Sequence, residues 1–140
     1  MTASPLHLLD TNMVTYIVSG RSHAARLRLK EALTHHPVSV SAITQAEILF
    51  GLENKLQATR LRSAVADLFA ILPVLAWDSA AAHAYAGLRA RLASAGKSLS
   101  SMDMLIAAHA TAASATLVTH DKAFRHAEPM LDIVDWATDL

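Results

Sequence analysis

Short apolar segments alternate along this chain with longer segments whose apolar residues recur at helical spacing. The spacing predicts strands over residues 6–9, 38–40, 73–77, 116–119 and 133–136. It predicts helices over residues 13–18, 23–34, 43–55, 60–72, 79–95 and 102–114, the fifth capped by Asp78 and ended at Gly96. This alternation predicts an α/β fold with a parallel sheet covered on both faces, since buried parallel strands are short and apolar throughout.

The whole chain, residues 1–140, is predicted to form one domain. Of its residues, 53% are hydrophobic and 17% charged, and we find no linker or repeat. The absence of cysteine excludes disulfides and thiolate zinc sites, and with no visible export signal we expect a cytoplasmic protein. Residues 104–120 lack charged side chains but are shorter than the ~20 residues of a membrane span, so we expect a buried helix and strand there and no membrane partner.

Charge is unevenly distributed although the formal net charge is zero. Ten of the 12 Lys and Arg residues lie in residues 1–97, whereas six of the 12 acidic residues lie in residues 98–140. A net charge of zero does not by itself indicate an enzyme that acts on nucleic acids. Basic side chains around an acidic, metal-loaded pocket would make a neutral chain compatible with a nucleic-acid substrate. These basic residues either grip phosphates or simply solvate helix faces: Arg21, Arg26, Arg28, Lys30, Arg60 and Arg62.

Two acidic residues follow predicted strands directly. Asp10 comes after the first strand and Asp121 just after the fourth. Ligands of open parallel sheets bind at the carboxyl ends of the strands, so both carboxylates are placed where chemistry is expected. The local alternatives are a helix N-cap for Asp10 and an ordinary turn for Asp121. Thr11, Asn12 and Thr119 lie beside them and are predicted to position water or phosphate by hydrogen bonds.

Two further acidic residues lie within apolar helices. Glu47 has apolar neighbours on its helix, where Ile43, Ala46 and Phe50 are predicted to form the buried stripe with Leu49 or Ile48. An unpaired carboxylate there costs free energy, which favours a functional role, although Thr44 and Glu47 also have the spacing of a capping box. Asp103 opens the uncharged helix, where a role at the positive helix end is the alternative.

Together the four carboxylates predict a metal site. Clustered carboxylates repel one another, and a divalent cation removes that cost. Oxygen donors without cysteine select Mg²⁺, or Mn²⁺, over zinc. We expect Asp10 and Asp103 to be direct ligands, with Glu47 and Asp121 acting through water or at a second ion. Such a site activates water for attack on a phosphodiester without a nucleophilic side chain.

The motifs around these acids resemble those of PIN-domain ribonucleases of the VapC type, the toxins of bacterial type II toxin–antitoxin pairs. The similarity covers nearly the whole chain. The four matching segments, each carrying one of the acids, are residues 8–12, 41–51, 102–110 and 117–124, ahead of the closing Asp135–Trp136. The fourth acidic position varies in that family, and Asp121 retains the charge.

This resemblance implies a three-layer α/β/α sandwich around a short parallel sheet. It implies a Mg²⁺-dependent endoribonuclease, often acting on tRNA, which forms a homodimer and is inhibited by a cognate antitoxin that inserts a basic residue into the acidic pocket. It also implies that all four acids, Asp10, Glu47, Asp103 and Asp121, act in metal binding and catalysis.

Other functions fit the residues less well. A haloacid-dehalogenase-like phosphatase needs a second acid at the position of Asn12, and a receiver domain needs more acids near the first strand. The alternative outside the enzymes is a binding module, which would hold RNA or a protein without cutting it. His7, His83 and His109 lie in apolar segments and are expected in the core or at its edge rather than as ligands, whereas His120 lies beside Asp121, within reach of substrate, and is not assigned a role.

Overall fold

The computed structural model describes residues 5–140. Its centre is a five-stranded sheet in the order β3-β2-β1-β4-β5, in which all the paired strands are parallel. The strands are β1 (His7–Leu9), β2 (Val38–Ser41), β3 (Val74–Leu75), β4 (Thr116–Val118) and β5 (Asp132–Val134). The predicted parallel sheet is confirmed. The strand order reverses at β1, which lies between β2 and β4.

Six helices connect the strands. They are α1 (Thr11–Ser19), α2 (His23–Ala32), α3 (Ala42–Glu53), α4 (Thr59–Ile71), α5 (Ser79–Ser94) and α6 (Ser101–Ala112). Each predicted helix is present, with ends displaced by a few residues, and the strand predicted over residues 73–77 contains only Val74 and Leu75. A short 3₁₀ helix, Lys122–Ala127, was not predicted, because so few residues carry no periodic signal.

Two apolar cores, one on each face of the sheet, make the fold a three-layer sandwich. Leu9 and Val118 pack with apolar residues of α1, α2, α3 and α4. Their neighbours Leu8 and Leu117 point to the opposite face and pack with α5 and α6. Because side chains alternate along a strand, the adjacent apolar residues of β1 and β4 supply one side chain to each core.

Glycine ends α1 where the backbone must turn. Gly20 adopts a left-handed conformation at φ 76° and donates its N–H to the carbonyl of Ile17. Gly96 does the same after α5 at φ 69°, and the following N–H of Lys97 bonds back to Leu92. Side chains disfavour this conformation, so glycine is the residue expected at these helix ends.

The predicted buried stripe of α3 is wrong in part: Ile48 is buried and Ile43 packs against the second core, but Ala46 and Phe50 do not face the core. The side chains that face the core are Thr44, Ile48 and Leu52, whereas Phe50 is 67% exposed and Leu49 49% exposed. Ala46 is exposed as well. A helix that is apolar on nearly all sides carries no contrast from which to read its buried face.

The uncharged stretch over residues 104–120 runs through α6 and β4, as expected. Within residues 5–140, no helix is long and apolar enough to cross a membrane.

Candidate active site

Asp10 lies at the carboxyl end of β1 and is buried, with only 3% of its surface exposed. It is the N-cap of α1: its Oδ1 accepts a hydrogen bond of 2.8 Å from the backbone N–H of Met13. Its other oxygen, Oδ2, accepts a hydrogen bond of 2.6 Å from the hydroxyl of Thr119. The cap interpretation is therefore confirmed, and the same contacts fix the carboxylate at the sheet edge where a ligand site was expected.

The environment of Asp10 opposes its negative charge. Burial raises its pKa to about 6, against the hydrogen bonds from Thr119 and Met13, and the charges of Asp103 and Asp121 add to the increase. Two of the other predicted site residues therefore lie within electrostatic reach of Asp10, although Asp103 and Asp121 are distant in the chain.

Glu47 lies in the middle of α3 and is half-buried. The hydroxyl of Thr11 donates a hydrogen bond of 2.6 Å to its Oε1, and the hydroxyl of Thr44 lies 3.2 Å from that of Thr11. The capping-box alternative is wrong, because Ser41 caps α3 by accepting from the N–H of Ile43 and Thr44 lies inside the helix. Glu47 is thus tied to the start of α1, directly after Asp10.

Asp103 lies in the first turn of α6, which Ser100 caps. It is half-buried, and burial raises its pKa, with further contributions from the charges of Asp121 and Glu47. Asp103 therefore does lie at the positive end of its helix, as the alternative interpretation expected. That alternative does not account for the like charges that face Asp103 from two other segments.

Asp121 lies after β4 and is exposed. Its Oδ1 accepts a hydrogen bond of 2.9 Å from the N–H of Ala123 at the start of the 3₁₀ helix, and its own N–H donates to the hydroxyl of Thr119 at 3.0 Å. Thr119 therefore contacts two of the four acids. Of the predicted supporting residues, Thr11 and Thr119 hold carboxylates, whereas Asn12 is exposed and its side chain bonds to no residue within 5–140.

The four acids form a loose cluster. In the described part of the chain, no three His, Asp or Glu side chains are close enough to hold one metal ion together. Mg²⁺ in proteins is usually held by one or two carboxylates and keeps several waters, so this ion does not require three of the acids to meet. A closed set of four protein ligands, as in structural zinc sites, does not fit.

A family model described as the PIN domain matches residues 7–128, which include all four acids. The chain therefore belongs to the PIN-domain family. Among curated relatives, ribonuclease VapC2 of Rickettsia felis is 26% identical over 94% of this chain and 98% of its own length. The tRNA(fMet)-specific endonuclease VapC of Salmonella typhimurium is 30% identical over 92% of this chain and 96% of its own length. This PIN domain is thus of the VapC type.

Solved structures agree with this assignment. VapBC2 of Rickettsia felis, bound to a DNA fragment from its promoter, contains a chain that matches this PIN domain with a TM-score of 0.87 at 25% identity. That match covers 94% of this chain and 98% of the other. DNA-bound VapBC of Salmonella typhimurium gives a TM-score of 0.81 at 28% identity, covering 96% and 99%. The predicted PIN fold is confirmed.

The structure adds residues near the site that the sequence did not reveal. His120, which was singled out, pairs with Asp135 at 2.8 Å, and nothing in the local sequence marks Asp135 as its partner. His109 is in the core as expected, where its Nδ1 lies 2.7 Å from the hydroxyl of Ser41. His83 is exposed on α5, so its predicted place in or beside the core is wrong.

Proposed function

We propose that this VapC-type PIN domain is a metal-dependent endoribonuclease and the toxin of a type II toxin–antitoxin pair. The observation that carries the proposal is the convergence of Asp10, Glu47, Asp103 and Asp121 at one edge of the sheet, where burial raises the pKa of Asp10 and the charges of Asp103 and Asp121 add to the increase. Repulsion between clustered carboxylates is unfavourable without a counter-charge, and a bound divalent cation supplies one.

Asp10 and Asp103 are the residues we assign as direct ligands of Mg²⁺, or of Mn²⁺. Glu47 and Asp121 act through water or at a second ion. Bound there, the ion lowers the pKa of a coordinated water and screens negative charge on the phosphate.

The protein's own contribution is to hold the acids in place before substrate arrives. Thr119 and the N–H of Met13 fix both oxygens of Asp10. Thr11 fixes one oxygen of Glu47. Preorganised groups need not reorganise during the reaction, which is why such hydroxyls contribute to rate without touching the reacting atoms.

The proposed substrate is RNA, and tRNA in particular. The supporting observations are the names of the relatives, since the Salmonella typhimurium protein is a tRNA(fMet)-specific endonuclease. Hydrolysis of RNA phosphodiesters in the cytoplasm would make the chain toxic to its own cell, which fits a toxin whose activity a partner restrains.

The proposed inhibitor is a cognate VapB-like antitoxin. The matching solved structures are of VapBC. A groove between α1, α3 and α4 supports such a partner, because it runs from Thr11 and Glu47 into apolar surface at Ile48, Leu52 and Val65. A basic side chain inserted there would meet the carboxylate of Glu47.

A homodimer is also part of the proposal. Leu49 and Phe50 lie exposed on the outer side of α3, away from the sheet. Exposed large apolar side chains that are adjacent support a contact between protein chains.

Incubation of the purified chain with total tRNA tests the enzyme proposal. Cleavage is expected with Mg²⁺ or Mn²⁺, and none with EDTA or in the variant Asp103→Asn. The matched control is Asp67→Asn, which removes an exposed carboxylate of α4 and should leave cleavage unchanged. RNA that binds equally well with EDTA and is never shortened would instead identify a binding module.

A further inference from the structure

A second group of polar side chains adjoins the acidic cluster, at the ends of β4 and β5. The Nδ1 of His120 lies 2.8 Å from Oδ2 of Asp135. His120 stands in the chain between Thr119, which holds Asp10, and Asp121. Because β4 and β5 are parallel neighbours, their carboxyl ends emerge together and bring the imidazole and the carboxylate into contact.

The imidazole ring is held from two sides. The second oxygen of Asp135, Oδ1, accepts a hydrogen bond of 2.8 Å from the N–H of Ala137, so the carboxylate itself is immobilised. The ring of Tyr16, on α1, meets the His120 ring edge to face at 6.1 Å between centroids. Fixed contacts of this kind set the direction of a side chain before any ligand arrives.

The contact with Asp135 also determines which ring nitrogen is available. The carboxylate oxygen of Asp135 accepts the hydrogen bond from Nδ1 of His120, and in that tautomer Nε2 remains available as an acceptor for a ligand. Nε2 bonds to no residue within 5–140, and 32% of the His120 side chain is exposed. The pair thus presents one oriented nitrogen beside the acids.

A cation completes the group. The guanidinium carbon of Arg21 lies 5.1 Å from the centroid of the Tyr16 ring, and Arg21 is exposed. Single-stranded RNA is recognised by aromatic rings, arginine planes and hydrogen bonds to bases and riboses, with cations that neutralise phosphates. Arg21, Tyr16 and His120 offer these groups together.

Stability alone is a weak reason for the His120–Asp135 contact. Both side chains are partly exposed, and partly exposed polar contacts contribute little to the free energy of unfolding. The neighbouring Trp136 is already buried against the sheet and anchors this end of the chain.

We propose that His120, oriented by Asp135 and flanked by Tyr16 and Arg21, is a nucleotide-binding subsite that contacts the RNA residue next to the bond that is cut. This inference rests on the proposed ribonuclease function. Nε2 of His120 accepts a hydrogen bond from a ribose hydroxyl or a base amino group of that residue, and Arg21 neutralises a neighbouring phosphate. None of the four residues of this subsite lines the groove between α1, α3 and α4.

Two replacements of His120 separate substrate contact from a structural role. The side-chain amide of asparagine occupies the place of Nδ1, whereas that of glutamine reaches the place of Nε2. The subsite predicts that His120→Gln binds RNA more tightly than His120→Asn. A merely structural role predicts the reverse order, since asparagine preserves the bond to Asp135.

The measurement is the Kd of labelled total tRNA in an Asp103→Asn background, so that no RNA is cut. His120→Ala and His120→Asn are expected to weaken binding about tenfold, and His120→Gln about threefold or less. The matched control is His126→Ala, which alters an exposed histidine of the 3₁₀ helix and should leave the Kd within twofold. Thermal unfolding of each variant establishes that it is folded.

A second pair of variants keeps the inference falsifiable if His120 variants fail to fold. Arg21→Ala is expected to weaken binding and reduce its salt dependence, whereas Arg28→Ala, on the exposed side of α2, is not. In the cleaving protein, the same subsite variants should raise KM more than they lower kcat.

The outcomes distinguish this subsite from the nuclease proposal. Unchanged Kd and KM in His120→Ala and Arg21→Ala would overturn the subsite while cleavage by the parent protein upholds the nuclease. Conversely, a parent protein that cuts no RNA with Mg²⁺ or Mn²⁺, but binds it more weakly after His120→Ala, would overturn the nuclease and leave an RNA-binding site at His120.

Discussion

The hydroxyl of Thr119 donates a hydrogen bond of 2.6 Å to the Oδ2 of Asp10, across the boundary between the two central strands of the sheet. The same hydroxyl oxygen accepts the backbone N–H of Asp121. One buried hydroxyl therefore positions a carboxylate from the start of the chain against a turn that carries a second one. The proposed metal site depends on this contact as well as on the acids.

Replacement of Thr119 by valine removes the hydroxyl at nearly constant volume. We expect Mg²⁺-dependent cleavage to fall by about 10- to 100-fold, the usual effect of losing a group that orients a metal ligand. The protein should remain folded and lose about 1–3 kcal/mol of stability, because the N–H of Asp121 loses its acceptor. Cleavage assays and urea unfolding measure the two effects, with the exposed Thr138→Val as control. Wild-type cleavage by Thr119→Val would show that the hydroxyl has no part in the site.

The raised pKa of Asp10 predicts how stability of the metal-free protein depends on pH. In the unfolded chain the group titrates near 3.8, and in the folded protein at about 6. Between these values the folded state binds more protons, so the contribution of Asp10 to stability falls as pH rises, by about 3 kcal/mol in total. In EDTA, Asp10→Asn should therefore gain stability relative to wild type as pH rises from 4 to 7. A difference between the two proteins that is independent of pH would contradict the raised pKa.

Magnesium should compete with protons for Asp10. At limiting Mg²⁺, cleavage should rise with pH through about 6, where Asp10 ionises. Increasing the Mg²⁺ concentration should shift this midpoint to lower pH, since the ion binds only the ionised carboxylate. The check is a set of pH–rate profiles at several Mg²⁺ concentrations. A midpoint that stays constant would show that Asp10 is not a ligand.

Asp10 and Asp78 are both N-caps, which allows capping to be separated from metal binding. Asp78 caps α5 by accepting from the N–H of Ala81 at 3.1 Å. We expect Asp78→Ala to cost about 1 kcal/mol of stability and to leave cleavage intact. Asp10→Asn should keep its cap and abolish cleavage. Equal activity of the two variants would mean that Asp10 is only a structural cap.

The sequence predicted the parts of this molecule that follow from local rules. Asp10 and Asp121 follow strands, and the rule that parallel strands present their carboxyl ends together placed both at one edge. Glu47 and Asp103 were predicted to join this site because the motifs around them resemble those of VapC-type PIN domains. Electrostatic coupling of Asp103 to Glu47 and Asp121 agrees with this prediction.

What the sequence did not predict depends on packing between distant segments. The buried face of α3 was misassigned because Phe50 and Leu52 are equally apolar, and only the neighbouring helices decide that Leu52 enters the core. The pairing of His120 with Asp135 depends on the alignment of β4 with β5. No periodicity within either segment carries that information.

A buried hydrogen bond between His109 and Ser41 links the two helices that carry Asp103 and Glu47, and it predicts an opposite pH effect. Burial lowers the pKa of His109 below 6.5, so the unfolded chain binds the extra proton first. Stability from His109 is therefore present above pH 6.5 and is lost as pH falls, the reverse of the contribution of Asp10. His109→Gln should lose about 1–3 kcal/mol at pH 7.5, because Ser41 loses its well-placed partner, and the loss should shrink at pH 5.5. Urea unfolding of wild type, Asp10→Asn, His109→Gln and the double variant separates the two contributions, since each single variant should remove only its own slope. A loss in His109→Gln that grows as pH falls would show that the imidazole is protonated in the folded protein.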